Sequence, residues 1–199
     1  MATTRVLLLR HGQSEWNALG KWQGHADPPL TALGRAQALA ASRALGTLDA
    51  VVASDLLRAH ETAEIIAAQL GIGPVLVDAR LRERDAGAWT GLTRAEIDGG
   101  YPGYLDDGRR PPGWEGAETL AVRVVAALRD AHGAYHGGDV LAVAHSGVIR
   151  AVELSLNHDG GVLPNLGARW IWVDDAGMAL GDRVQLIDAS SVAASVNEA

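Results

Sequence analysis

Short apolar runs alternate with longer alanine-rich stretches along this chain, and that alternation restricts the fold more than any other feature. Val6–Arg10 reads as a buried strand, and the run 31–46 (TALGRAQALAASRALG) as a helix capped by Thr31, filled by alanines and ended by Gly46. Asp49–Ser54 reads as a second strand. The run 55–71 is a second helix, with Leu57, Ile65 and Leu70 among its apolar positions. Val75–Val77 is a short strand, 139–147 a fourth strand running into a turn, and Val148–Leu156 a helix. Near the end, WIWVDDAG and RVQLIDAS read as antiparallel strands around an Asp-Ala-Gly turn. Strands alternating with helices predict a three-layer α/β/α sandwich with a mainly parallel sheet and helices on both faces.

The 199 residues suit one domain spanning 1–199, with no linker, repeat or low-complexity segment. Residues 99–116 (GGYPGYLDDGRRPPGWEG) are half Gly and Pro, the composition of a structureless functional loop, expected to act as a lid or specificity loop. The tail from residue 190 is small and polar and is expected to fray. No apolar run approaches the roughly 20 residues that span a bilayer. The opening MATTRVLLLR is too short for a secretory signal, so the expected location is the cytoplasm, with no membrane partner.

Cysteine is absent, which removes disulfides, thiol nucleophiles and thiolate metal sites. The net charge of −7 argues against sequence-independent nucleic-acid binding. Lys21 is the sole lysine and lies outside any G-x-x-x-x-G-K-[ST] context, which excludes a P-loop.

What ends the strands points to chemistry. Ligands of open α/β sheets bind beyond the carboxyl ends of parallel strands. Arg10 and His11 follow the first strand, Ser54, Asp55 and Arg58 the second, and His145, Ser146 and Gly147 the fourth. Two guanidinium forks, two imidazoles and two helix amino ends delivered to one edge make an anion pocket suited to a phosphoryl group.

The segment RHGQSEWN resembles the R-H-G-[EQ]-[ST]-x-x-N signature of the histidine phosphatase superfamily, which includes cofactor-dependent phosphoglycerate mutases. WQGHADPPLTALGRAQA, SDLLRAHETA, LRERDAGAWTG, the looser GAETL and AHSGVIR resemble the family's later segments in order. The resemblance implies that His11 is the nucleophile, forming phosphohistidine, and that Arg10, Arg58 and His145 hold the phosphoryl oxygens. It implies that Glu83 protonates the leaving oxygen and then deprotonates water. Asn17, Gln23, Gly24 and Ser146 complete the candidate set as substrate contacts. Neither metal nor cofactor is expected, because fixed cations can supply what a metal would. Thr90 stands where the family loop often has Glu, Ser146 replaces a Gly, and Ala117 interrupts a Gly-Glu pair.

The same residues have blander roles open to them. Arg58 could pair with Glu61 or Glu64, and His145 could be a satisfied core histidine. Trp16, Trp22, Trp89 and Trp114 could line a cavity, with Trp22 and Trp114 flanking pocket segments. Arg82, Arg84, Arg109 and Arg110 could face the pocket mouth and favour a second anionic group. His25 is the histidine outside the set expected nearest the pocket. His132 and His136 stand four apart, a metal-chelating spacing on a helix. Gly133 and 137–138 end the helix there, so both are expected as exposed histidines without a metal.

The expected activity is hydrolysis of a small phosphate ester. The alternatives are a phosphoglycerate mutase and a catalytically silent phospholigand-binding protein. Glycolytic mutases of the family carry a longer insertion and a loop beginning L-N-E-R-H-Y-G, whereas LRERDAGAWTG lacks the His-Tyr pair. An exposed sheet edge or the late Trp-rich hairpin leaves room for a homodimer.

Overall fold

In the structure, a computed structural model, residues 2–188 are described, so the tail expected to fray lies outside the described residues. The elements run β1 (Thr4–Arg10), α1 (Glu15–Ala18), α2 (Ala32–Ser42), β2 (Ala50–Ala53), α3 (Leu57–Leu70), β3 (Leu76–Val77), α4 (Arg94–Gly100), α5 (Tyr104–Asp107), α6 (Ala117–Ala134), β4 (Asp139–Ala144), α7 (Ser146–Ser155), β5 (Gly167–Asp174) and β6 (Gly177–Gln185). The sheet order is β3-β2-β4-β1-β5-β6. The pairs among β3, β2, β4 and β1 are parallel, and the β5–β6 hairpin joins β1 antiparallel.

The side-chain period of two divides the core. Val6 and Leu8, with Val140, Ala142 and Ala144, pack among residues of α6 and α7 such as Leu120, Val124, Val148 and Val152. Leu7 and Leu9, with Leu141 and Val143, pack on the other face among Ala41, Ala59, Ala63 and Ile66 of α2 and α3. Strands apolar on both faces demand cover on both sides, and the result is the expected α/β/α sandwich.

Local differences from the sequence reading have local causes. Thr31 caps α2, accepting from the Gly34 amide at 3.0 Å, but α2 ends at Ser42 rather than at Gly46. Arg43, Ala44 and Leu45 instead continue as turns bonded three residues back. Leu57 is exposed at the start of α3, whose buried face is Arg58, Ala59, Thr62, Ala63, Ile66 and Ala67. The loop 99–116 is not structureless, because α4 runs into it and α5 lies within it. Its aromatic residues anchor it: Tyr101 lies 6.1 Å from Trp89 and Trp114 lies 5.6 Å from Trp22 between ring centroids. No helix among the described residues is long and apolar enough to cross a membrane.

Candidate active site

The parallel ladder carries the chemistry to one edge. Arg10 registers with Ala144, and Ala53 with Val143. The pairing continues past the strands: His11 N–H donates to the Ala144 carbonyl at 3.1 Å, and Ser54 N–H to the Val143 carbonyl at 2.9 Å. The His11 and His145 rings therefore meet edge to face, 5.1 Å between centroids. Arg10, His11, Arg58 and Glu83 line a cavity of about 770 Å³ above this edge.

His11 Nδ1 lies 2.6 Å from the Gly12 carbonyl. A carbonyl only accepts, so Nδ1 carries the proton and Nε2 keeps its lone pair. Burial, then the charges of Arg58 and Arg10, holds His11 well below the ordinary imidazole value, as a neutral base. Backbone contact fixes this loop. A Cβ on Gly12 would meet the Gly34 carbonyl oxygen at 2.5 Å, and one on Gly34 would meet that of Gln13 at 2.1 Å. Glycine at both positions lets the loop after His11 lie on the first turn of α2.

Arg58 is wholly buried and donates to the Ala26 and Gly24 carbonyls at 2.8 and 3.0 Å. Burial pushes its guanidinium down to about 10. It pairs with neither Glu61 nor Glu64, since Glu61 is bound by Arg35. Arg10 donates to the Leu163 carbonyl. His145 Nε2 lies 3.0 Å from Ser54 Oγ, and its Nδ1 is buried without a partner among the described residues. Arg10 Nε and Arg58 Nε are likewise buried and unpartnered. Such donors are costly unless a ligand takes them, and an anion beside His11 would take all three.

Glu83 stands opposite. Its carboxylate accepts from the Arg84 amide at 2.7 Å and from the Gly147 amide, in the first turn of α7, at 3.2 Å. A Cβ at Gly147 would lie 2.2 Å from Glu83 Oε1, so only glycine permits this approach. The Glu83 carbonyl receives His25 Nε2 at 2.8 Å and the Arg123 guanidinium at 2.9 Å. Arg123 also binds the Arg80 and Arg82 carbonyls and Glu115.

The family model that matches is the histidine phosphatase superfamily, branch 1, over residues 6–160. The chain belongs to this superfamily. It is 39% identical over 171 residues to the glucosyl-3-phosphoglycerate phosphatase of Mycobacterium tuberculosis, covering 78% of this chain and 76% of that protein. It is 34% identical over 163 residues to the metal-independent phosphoserine phosphatase of Arabidopsis thaliana, covering 77% and 68%. A solved mycobacterial glucosyl-3-phosphoglycerate phosphatase, in complex with VO3, superposes with a TM-score of 0.82 at 31% identity, covering 89% of this chain and 97% of that one. These likenesses support the phosphatase branch of the superfamily, although a probable phosphoglycerate mutase of Enterobacter is also similar, 39% identical over 71% of this chain and 69% of that protein.

The secondary members of the set divide by role. Asn17, Gln23, Gly24 and Ser146 all line the cavity. Gln23 accepts from Ser14 Oγ at 2.7 Å, and Ser146 Oγ accepts from the Leu163 amide at 3.3 Å. The Gly24 carbonyl is occupied in holding Arg58. Arg84 and Arg110 reach the cavity, as expected. Arg82 does not, because Asp55 binds it at 2.8 and 2.6 Å, and Asp107 holds Arg109 the same way. Trp16, Trp22 and Trp114 line the cavity, whereas Trp89 is wholly buried beneath Trp22 and Trp114. His132 is also corrected: it is buried, not exposed.

Asn165, Arg123 and Arg150 escaped the sequence reading. Asn165 Nδ2 donates to the His11 carbonyl at 2.9 Å from 154 residues away. Arg150 lines the cavity while paired with Asp159 at 3.0 and 2.8 Å. The only local signal was for Arg150, which closes the AHSGVIR segment.

The two buried histidines have a measurable consequence. Both are held well below the ordinary value of 6.5, chiefly by burial. As pH falls below about 6.5 the unfolded chain gains protons that the folded chain refuses, so stability drops. The slope approaches about 1.4 kcal/mol per pH unit for each histidine. Urea midpoints measured from pH 7 to 5 are expected to fall accordingly. A flat profile over that window would contradict the assignment of neutral, buried imidazoles.

Proposed function

We propose that the protein is a metal-independent phosphomonoesterase that acts through phosphohistidine on a small phosphorylated metabolite. The observation that carries this reading is the free Nε2 of His11 among the unpartnered donors of Arg10, Arg58 and His145. In the first step the Nε2 lone pair attacks phosphorus, the ester P–O bond breaks, and the departing oxygen takes the Glu83 proton. The Gly12 carbonyl, accepting from Nδ1–H, stabilises the positive charge that develops on the ring. In the second step Glu83, now a carboxylate, takes a proton from water as the water oxygen attacks phosphorus. The P–N bond breaks, Nε2 regains its pair, and inorganic phosphate leaves. Fixed guanidinium and imidazole donors bear the charge of the transferring group throughout.

The cavity favours an ester with a second anionic or polyol part. Arg84 and Arg110 stand over the Trp114 ring at 5.3 and 5.2 Å, in a wall to which the 99–116 segment contributes Arg110, Trp114 and Gly116. We assign that segment a specificity role, which its aromatic anchors support. Phosphoglycerate-type and glucosyl-phosphoglycerate esters suit this wall better than phosphoserine. A panel of these esters, scored by kcat/KM without added metal, tests the reading. Efficient phosphoglycerate interconversion dependent on bisphosphoglycerate would establish the mutase instead, and absence of turnover on every ester would favour a silent phospholigand-binding protein.

Glu83→Gln removes the proton donor but keeps the shape. Its kcat is expected to fall by roughly 10²–10³-fold on alkyl phosphates and far less on p-nitrophenyl phosphate, whose leaving group departs unprotonated. Equal losses on both would assign the acid to another residue. A cytoplasmic location and a homodimer covering the exposed Trp172 of β5 are proposals as well, checked by cell fractionation and sedimentation.

A further inference from the structure

At the opposite end of the sheet from His11, α6, the start of β1 and the β5–β6 turn bring together three donors. His132 Nε2 lies 3.4 Å and His136 Nε2 4.0 Å from Asp175 Oδ1, and all three atoms fall within 4.8 Å of one another. The two imidazole rings stack at 4.3 Å. His132 is in the last turn of α6 and His136 lies just beyond the helix end, so the chain turn after Ala134 does not part them. Among the described residues this is the one group of three such side chains whose donor atoms close to this degree.

The hydrogen bonds behind the cluster fix its chemistry. Thr4 Oγ1, wholly buried, donates its single proton to the Tyr135 carbonyl at 2.8 Å. It lies 2.8 Å from His132 Nδ1 and can therefore only accept there. The carboxylate of Asp175 also only accepts, so Nε2–H donates to it in the metal-free protein; with Nε2 on a metal ion in place of that proton, Nδ1 carries the ring proton toward Thr4 Oγ1. An imidazole whose second nitrogen is donated to a protein acceptor is the arrangement in which histidine binds metals, because that bond orients the ring and raises the basicity of the ligating nitrogen. In tetrahedral coordination, donor atoms stand roughly 3.3 Å apart, given metal–nitrogen and metal–oxygen bonds near 2.1 Å. The His132–Asp175 separation of 3.4 Å already fits, whereas His136, at 4.0 Å from Asp175 Oδ1, must move closer by about 0.7 Å on metal binding.

We propose that His132, His136 and Asp175 form a binding site for a divalent transition metal ion of the zinc class. Two imidazoles and one carboxylate suit such ions better than magnesium or calcium. Water or a buffer ligand completes the coordination, since His136 and Asp175 are more than half exposed. The site is remote from the chemistry: the seven residues of β1 separate Thr4 from Arg10, a rise of about 20 Å. Its effect is to tie the α6 end, the β1 start and the β5–β6 turn together.

The test is isothermal titration of the untagged, chelator-stripped protein with zinc chloride. One site with a dissociation constant of roughly 10 μM or tighter is expected, together with a rise in melting temperature on adding zinc. His136→Ala and Asp175→Asn should each weaken binding at least roughly tenfold and abolish the thermal gain, with kcat unchanged. Thr4→Val, which removes the acceptor for Nδ1–H, should weaken binding without adding or deleting a ligand. Because His11 and His145 could also take zinc, the same titration is run on His11→Ala, which should bind as tightly as the wild type. Absence of saturable binding at 100 μM zinc would overturn the proposal. So would binding that survives both His136→Ala and Asp175→Asn or vanishes in His11→Ala.

Discussion

His11→Ala is expected to lower kcat/KM for any phosphate ester by at least roughly 10⁴-fold, because it deletes the atom that bonds to phosphorus in the proposed mechanism. The guanidiniums and Glu83 cannot replace it, since none offers an uncharged nitrogen to phosphorus, and His145 has its Nε2 engaged by Ser54 Oγ at 3.0 Å. Folding should survive: the ring makes one side-chain hydrogen bond, to the adjacent carbonyl of Gly12, and the strand ladder on either side is backbone. Circular dichroism and the urea midpoint at pH 7 should therefore stay close to wild type. Quenching the wild type with ³²P-labelled ester in alkaline detergent should trap an acid-labile, base-stable phosphoprotein, which the variant does not form. A variant that kept most of its turnover, or still trapped phosphate, would require a different nucleophile.

Arg58→Met is expected to separate stability from function. The guanidinium is wholly buried, and its value near 10, against an ordinary 12.5, corresponds to about 3 kcal/mol of charge held at a disadvantage. Methionine removes that burden and fills much of the volume, but it leaves the Gly24 and Ala26 carbonyls without a donor, at about 1–3 kcal/mol each. The opposing contributions are of similar size, so the unliganded fold should change little in stability. Turnover should not escape so lightly: removal of a fixed cation beside the transferring phosphoryl group is expected to lower kcat/KM by roughly 10³-fold. Orthovanadate or phosphate should raise the melting temperature of the wild type and not that of the variant. Wild-type turnover in a folded Arg58→Met protein would remove this residue from the site.

Both predictions act on a site whose electrostatics are inverted relative to an ordinary surface. Two guanidiniums and two imidazoles crowd together without a paired carboxylate at bonding distance. The cost appears as the lowered values of Arg10, Arg58, His11 and His145, each with burial as its largest cause. A dianion in their midst converts that strain into binding, which is how a phosphoryl group can be held by this edge without a metal.

The placement of His11, Arg10 and His145 at one edge and the parallel sheet could all be read from sequence, because each depends on local pattern. Short continuous apolar runs make strands buried on both faces, and the residue after a parallel strand must emerge at the ligand edge. Arg10, His11, Ser54 and His145 need no further information to be placed there. What holds them was decided by tertiary structure. Asn165 reaches the His11 carbonyl across 154 residues, Arg123 gathers three carbonyls of the Glu83 loop, and glycines at 12, 34 and 147 matter only because another segment presses on them. Burial is equally non-local. His132 looks exposed from its helix end and is covered because Thr4, 128 residues away, closes over it, while Arg82 and Arg109 look like ligands until Asp55 and Asp107 are seen to hold them. Pattern along a chain reports backbone periodicity; which side chains are satisfied, crowded or left unpartnered depends on what folding brings opposite them.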